Sequence, residues 1–165
     1  MGQVTFKGNL IHTEGSLPVV GSKAPNFSLT AGDLSTSELT DYLGKKVVLN
    51  IFPSIDTGTC AASVRAFNEK AASLLNTVVI NISKDLPFAQ GRFCAAEGIN
   101  NVKVLSEYKN SSFSEAYGLK FIDGPLEGLL SRAVIVLDEK GEVVYTEQVA
   151  EVTEEPNYEA ALAVL

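Results

Sequence analysis

Strand-type apolar runs that alternate with helical patterns constrain the fold of this chain more than any other feature. The runs VVLNIF at residues 47–52 and TVVINIS at 77–83 are largely apolar and β-branched, which is typical of strands buried on both faces. The order predicts a strand, a helix with one buried face, and a second strand. The apolar residues that recur at helical spacing between the two runs are Ala61, Val64, Phe67, Ala71, Leu74 and Leu75.

The alternation continues toward the C-terminus. The segment KDLPFAQGRFCAAEG predicts a helix over 86–97, because Asp85 suits the N-cap position and Gly98 suits the residue that ends a helix. The further predicted elements are a strand at 101–106, a short helix within 111–118, a loop-rich stretch at 120–131, a hairpin at 132–149 that turns at 139–141, and a C-terminal helix within 154–165.

Shorter elements are predicted before the first buried strand. The segment VTFKGNLIHTEG alternates apolar and polar residues around Gly8-Asn9, which indicates a β-hairpin. A short strand is predicted within 27–34, and a weak helical turn within 35–46 that Gly44 closes. The whole order predicts an α/β fold with a mixed central sheet flanked by helices, an N-terminal β-hairpin, and one domain over residues 1–165.

Composition excludes several classes of partner. The formal net charge is −7, and no basic patch is available for nucleic acid or an anionic membrane. No signal peptide and no run of about 18 apolar residues is visible, so we expect a soluble, cytoplasmic protein. With one histidine and no Cys-x-x-Cys, a metal site is not expected.

Cys60 lies where a predicted strand gives way to the mouth of the long helix. Unpaired N–H groups and the positive end of the helix dipole favour a thiolate at such a position. Chemistry in α/β folds usually lies beyond the ends of strands, so Cys60 is a candidate nucleophile. By position alone, a small buried cysteine that packs the helix is an equal alternative.

The residues before Cys60 favour the reactive interpretation. Thr57 is close enough in a turn for its hydroxyl to bond the sulfur or a ligand, and Pro53 has no N–H and can shield a thiolate. The pattern is P-x-x-x-T-x-x-C over residues 53–60. With this pattern at a strand–loop–helix junction, the sequence resembles the peroxiredoxins.

The resemblance is closer to one branch of that family, the bacterial thiol peroxidases, and it covers nearly the whole chain. The segments that carry it are LNIFPSIDTGTCAASVRAFN, DLPFAQGRFCAAEG, AYGL, DGPLEGLLSRAVIVLDE and EEPNYEAALAVL. It implies a thioredoxin-like fold. It also implies a peroxidase that reduces hydrogen peroxide and alkyl hydroperoxides in antioxidant defence.

The same resemblance implies roles for residues around Cys60. Cys60 is expected to attack the peroxide and become a sulfenic acid, Thr57 to bond the sulfur and the peroxide, and Pro53 to exclude water. Arg132 matches the arginine that completes the site, and its fixed charge suits both a thiolate and a polarised O–O bond. From the residues alone, a surface salt bridge is the commoner role for such an arginine, and Arg65 and Arg92 compete for the catalytic one.

The resemblance further implies that Cys94 resolves the sulfenic acid as an intramolecular, redox-active disulfide with Cys60. We predict that the reduced protein holds the two thiols apart and that local unwinding of the Cys94 helix, eased by Gly91, brings them together. The alternative for Cys94 is a buried structural thiol. Thioredoxin as reductant, a homodimer, and no cofactor are also implied.

Three other functions compete with this one. A disulfide oxidoreductase would need Cys-x-x-Cys, but Thr57 occupies its first position. A cysteine acyl-transferase would need a base, and the one histidine, His12, lies in the N-terminal hairpin. A peroxide-sensing regulator would use the same cysteine pair and remains open as an alternative. The residues Phe52, Phe88, Phe93 and Leu129 are candidates for a substrate pocket or, equally, for ordinary core.

Overall fold

A seven-stranded mixed sheet forms the centre of the computed structural model, which describes all of residues 1–165. Its strand order is β4-β3-β7-β6-β5-β8-β9, and β5, β6 and β7 run parallel while the outer strands pair antiparallel. The strands are β3 (Ser28–Thr30), β4 (Thr36–Glu38), β5 (Lys46–Ile51), β6 (Thr77–Ser83), β7 (Lys103–Ser106), β8 (Ala133–Leu137) and β9 (Val143–Gln148).

Four helices and a separate hairpin complete the fold and confirm the predicted α/β class. The helices are α1 (Gly58–Ala71), α2 (Pro87–Glu97), α3 (Ser112–Tyr117) and α4 (Tyr158–Leu162). The hairpin pairs β1 (Gln3–Phe6) with β2 (Asn9–His12). None of the helices has the length and apolar composition to cross a bilayer.

Alternation along β5 divides the core between the two faces of the sheet. Val47, Leu49 and Ile51 pack in the larger cluster, which includes Phe113 and Tyr117 of α3. Val48 packs on the opposite face with Phe67 of α1 and Ala161 of α4. Because the central strands β5, β6 and β8 bury side chains on both faces, their near-continuous apolar runs follow directly from this layering.

Several boundaries differ from the predictions for local reasons. The hairpin turns at Lys7-Gly8, where both residues have positive φ (51° and 81°), as a two-residue turn of the favoured hairpin twist requires. The predicted turn within 35–46 contains the short strand β4 and a 3₁₀ turn at Leu39–Tyr42. Polar residues in that edge strand obscure its pattern. α1 ends at Ala71, so Leu75 is 87% exposed rather than buried.

The prediction that Asp85 caps α2 is wrong. The N-cap is Leu86, with Pro87 at the first helical position, and no side chain caps the helix. Asp85 turns instead toward the loop between β5 and α1, where its carboxylate accepts from Ser54 Oγ and from the Ile55 N–H. The other end of α2 is as predicted, since Gly98 adopts a left-handed conformation (φ 67°).

Candidate active site

Cys60 lies in the first turn of α1, directly beyond the carboxyl end of β5. Thr57 occupies the N-cap position with extended backbone angles, and the Cys60 side chain is fully buried. Unpaired helix amide N–H groups gather at such a position. The predicted placement of the thiol is therefore confirmed.

A polar ladder fixes α1 to the sheet behind the thiol. Ser63 Oγ donates to the carbonyl oxygen of Cys60 at 2.8 Å and accepts from Asn50 Nδ2 at 3.1 Å. Asn50 also donates to Asn81 Oδ1 at 2.8 Å. Asn50, Asn81 and Ser63 are all fully buried. Buried, hydrogen-bonded polar groups of this kind hold neighbouring elements in one register. They therefore fix the position of Cys60 relative to the sheet.

Arg132 reaches the thiol from just before β8. Its Nη1 lies 3.3 Å from Cys60 Sγ, and its Nε donates to the carbonyl oxygen of Val152 at 2.8 Å. Arg132 is 2% exposed and forms no salt bridge with any carboxylate. Burial without an acidic partner differs from the surface salt bridge that is common for arginine.

The competing arginines lie outside the site. Arg65 pairs with Glu97 through two contacts of 3.0 and 3.1 Å, and that carboxylate raises the pKa of Arg65. Arg92 lies 3.5 Å from Asp56, and both side chains are largely exposed. Of the three candidate arginines, only Arg132 contacts the thiol.

Pro53, Thr57 and Arg132 line a cavity of about 130 Å³. Cys60 is fully buried and does not line this cavity itself, but Arg132, which does, contacts its sulfur. The Thr57 hydroxyl donates to the carbonyl oxygen of Ser54 at 3.0 Å rather than to the sulfur. With its hydrogen committed, this hydroxyl presents lone pairs to the cavity. The cavity is therefore lined by a cation, an acceptor and a proline without an N–H.

Sequence reasoning missed the apolar wall of this cavity. Phe6 from the N-terminal hairpin, Leu126 and Val152 line it, and no local pattern places them there. Of the aromatic candidates, Phe52 is fully buried and Phe88 is 68% exposed, and neither lines the cavity. The wall suits an alkyl group beside the reacting centre.

Glu151 holds the hairpin against the site. Its carboxylate accepts from Thr5 Oγ1, Gly8 N and Thr153 N at 2.8–3.1 Å. The backbone N–H groups of Thr153 and Gly8, with the Thr153 hydroxyl, lower the pKa of Glu151 from 4.5 to about 2. Thr5 also bonds Ala150 and Val152 through its backbone, so the hairpin supports the segment that receives Arg132.

Cys94 lies on α2, away from the small cavity. It is a free thiol, as is Cys60, and it lines a separate cleft of about 560 Å³. Burial raises the pKa of the Cys94 thiol. The structure thus groups Thr57 and Pro53 with Arg132, which contacts Cys60, whereas Cys94 lines a different cleft.

The acyl-transfer alternative loses its base in this arrangement. His12 Nδ1 lies 2.6 Å from Asp123 Oδ2 in the hairpin region, and Asp123 also accepts from the His12 backbone N–H at 2.8 Å. These contacts with His12 lower the pKa of Asp123. His12 forms no hydrogen bond with Cys60 or with any residue that lines the cavity.

Comparisons with known proteins agree between sequence and structure. Residues 19–162 match the Redoxin family model. Thiol peroxidases of Mycobacterium bovis (strain ATCC BAA-935 / AF2122/97) and Mycobacterium tuberculosis (strain ATCC 25618 / H37Rv) are each 55% identical over 165 residues, which is 100% of this chain and 99% of theirs.

Two solved structures share the whole architecture. A peroxiredoxin-like protein from Aquifex aeolicus superposes with a TM-score of 0.93 at 36% identity, covering 98% of this chain and 94% of that one. A thiol peroxidase from Chromobacterium violaceum has a TM-score of 0.91 at 22% identity, with 99% and 95% coverage, a likeness of fold.

Proposed function

We propose that this chain, which belongs to the Redoxin family and within it to the thiol peroxidases, reduces hydroperoxides through the Cys60 thiolate. One observation carries the proposal. Arg132 is a buried cation with no carboxylate partner, and its Nη1 lies 3.3 Å from Cys60 Sγ. A buried, unpaired charge is costly, so the cation favours the thiolate as its counterion.

The chemistry follows from the groups around the cavity. The thiolate attacks the terminal peroxide oxygen, an S–O bond forms, and the O–O bond breaks. The leaving alkoxide or hydroxide takes a proton and departs as an alcohol or water, while Cys60 becomes a sulfenic acid. Arg132 stabilises the charge that moves onto the oxygens, Thr57 accepts from the hydroperoxide O–H, and Pro53 keeps a competing N–H away.

Cys94 resolves the sulfenic acid in this proposal. Its thiolate attacks Cys60 sulfur, hydroxide leaves and is protonated to water, and a disulfide joins the two residues. The thiols are unbonded, and the raised pKa of Cys94 keeps it protonated in the folded helix. Local unwinding of α2 exposes this thiol and removes the burial that raises its pKa. A dithiol reductant of the thioredoxin type then regenerates the pair.

The apolar wall of Phe6, Leu126 and Val152 supports organic hydroperoxides as substrates beside hydrogen peroxide. The family resemblance further supports a homodimer in the cytoplasm, where thioredoxin is kept reduced. Light scattering coupled to size-exclusion chromatography would give twice 17.6 kDa for the dimer. A mass of 17.6 kDa would contradict the homodimer but not the proposed reaction.

Intact mass tests the reaction directly. One equivalent of cumene hydroperoxide is added to the reduced wild type, Cys94→Ser and Cys60→Ser. We expect loss of two hydrogens in the wild type, one added oxygen in Cys94→Ser, and no change in Cys60→Ser. An unchanged wild type would overturn the proposal. Sustained NADPH consumption with thioredoxin and its reductase separates a peroxidase from a sensor that reacts once.

A further inference from the structure

The Asp85 carboxylate lies against the loop that carries the reactive thiol into α1. We call residues 53–57 the Cys60 loop. Asp85 Oδ1 accepts from Ser54 Oγ at 2.8 Å, and Asp85 Oδ2 accepts from the Ile55 N–H at 2.7 Å. Hydrogen bonds to a carboxylate are roughly twice as strong as neutral ones, so both loop residues are firmly held.

Ile55 packs this loop into the apolar cluster of Phe52, Cys60 and Val64, but few other polar contacts position the loop. Within it, Thr57 N donates to Ser54 O at 3.2 Å and Asp56 N donates to Ser54 Oγ at 3.2 Å. The ion pair of Asp56 with Arg92 is 3.5 Å long and exposed, and such pairs contribute little. Asp85 is therefore the main polar contact between the loop and the neighbouring strands.

Asp85 is itself fixed in place. Its Oδ2 accepts from Ser83 Oγ at 2.6 Å, and its backbone carbonyl accepts from Ser106 Oγ. Gln90 of α2 is 2% exposed and donates to Ser83 Oγ at 3.1 Å. The Asp85 carboxylate therefore fixes the position of the Cys60 loop relative to the ends of β6 and β7.

We propose that Asp85 is a positioning residue for the peroxide step, holding the Cys60 loop so that Pro53 and Thr57 face the cavity. The inference rests on the proposed function of Cys60. Ser54 and Ile55 separate Pro53 from the rest of the loop, and Thr57 Oγ1 takes its direction from the Ser54 carbonyl. Without the Asp85 carboxylate, Pro53 and Thr57 are no longer held in place at the cavity, while Arg132 still contacts the sulfur.

The test measures sulfenic acid formation by stopped flow in a Cys94→Ser background, which isolates attack by Cys60. Asp85→Ala should lower the second-order rate constant for cumene hydroperoxide by about tenfold to a hundredfold, since small misplacement near reacting atoms has such effects. Ser54→Ala should give a smaller loss. Asp85→Asn should restore most of the rate, because its carbonyl oxygen serves Ile55 and its amide donates to Ser54.

Alkylation of Cys60 by iodoacetamide distinguishes positioning from general support of the fold. That reaction needs the thiolate and a path to it, but it has no peroxide O–H for Thr57 to accept, so we expect its rate to stay within about twofold in Asp85→Ala. Asp138→Ala is a matched control, because Asp138 Oδ1 accepts from Lys140 N and Glu142 N at 2.9 Å in the β8–β9 turn. Its peroxide rate should equal that of the background.

Three outcomes would overturn the role of Asp85: an unchanged peroxide rate in Asp85→Ala, an equal loss of alkylation and peroxide rates, or no recovery in Asp85→Asn. Absence of any peroxide reaction in Cys94→Ser itself, with Asp85 intact, would instead overturn the proposed function. The two failures are therefore distinguishable in one series of measurements.

Discussion

Arg132 Nη1 lies 3.3 Å from Cys60 Sγ, although the two residues are 72 positions apart in the chain. Both side chains are at most 2% exposed. The guanidinium is held from its other side by the Val152 carbonyl. A fixed cation in a site with little water acts on charge more strongly than one at the surface, so this contact dominates the electrostatics of the cavity.

Arg132→Met should separate catalysis from stability. We expect the peroxide rate in a Cys94→Ser background to fall by about 10²–10³-fold, as for loss of one preorganised donor. The melting temperature should hold or rise, because an apolar side chain of similar length replaces a buried cation that has no carboxylate partner. Stopped-flow kinetics and calorimetry measure the two effects. Arg65→Met, which removes an exposed pair with Glu97, should leave the peroxide rate unchanged.

Gly91→Ala should slow disulfide formation without affecting peroxide attack. A Cβ at Gly91 meets no atom within 4 Å, so alanine adds helix stability of roughly 0.5–1 kcal/mol. If α2 unwinds before the bond forms, the rate falls by about two- to fivefold. Rapid quench and intact mass after a peroxide pulse give this rate. Gly32→Ala, equally unhindered but outside α2, is the control, and equal rates in the two variants would contradict the unwinding step.

Phe6→Ala should change the choice of substrate. Phe6 lines the cavity beside Leu126 and Val152, and a lost apolar contact of this size lowers the rate for a bulky peroxide by about tenfold. The measured quantity is the ratio of rates for cumene hydroperoxide and hydrogen peroxide. Leu10→Ala alters the same hairpin at a 58% exposed position and should keep the wild-type ratio. If Phe6→Ala keeps the wild-type ratio of the two rates, the hairpin does not contribute to substrate selection.

Glu151→Gln should change how stability depends on acid pH. The pKa of Glu151 falls from 4.5 to about 2 on folding, so its contribution is fully present above pH 4.5. It is lost as pH falls toward about 2, where the carboxylate protonates even in the folded protein. The melting-temperature difference between wild type and variant should therefore shrink across this window. A difference that is constant with pH would mean that charge at Glu151 does not stabilise the hairpin.

Short-range pattern was sufficient for most of the elements. The buried strands β5 and β6 follow from their continuous apolar runs, and the end of α2 follows from Gly98. Failures occurred where polar side chains had long-range partners. Asp85 would suit an N-cap if only its neighbours mattered, but Ser54 and Ile55 compete for its oxygens from 30 residues away.

The sequence by itself determined the order of strands and helices apart from β4, the placement of Cys60 at the mouth of α1, and the family to which the chain belongs. These features depend on side-chain period and on spacing within a few residues. Only the tertiary structure decided that Arg132 is buried against the sulfur, that Phe6 walls the cavity, and that Asp85 holds the Cys60 loop. Such contacts depend on how strands pair and loops close across the chain, which no local period encodes.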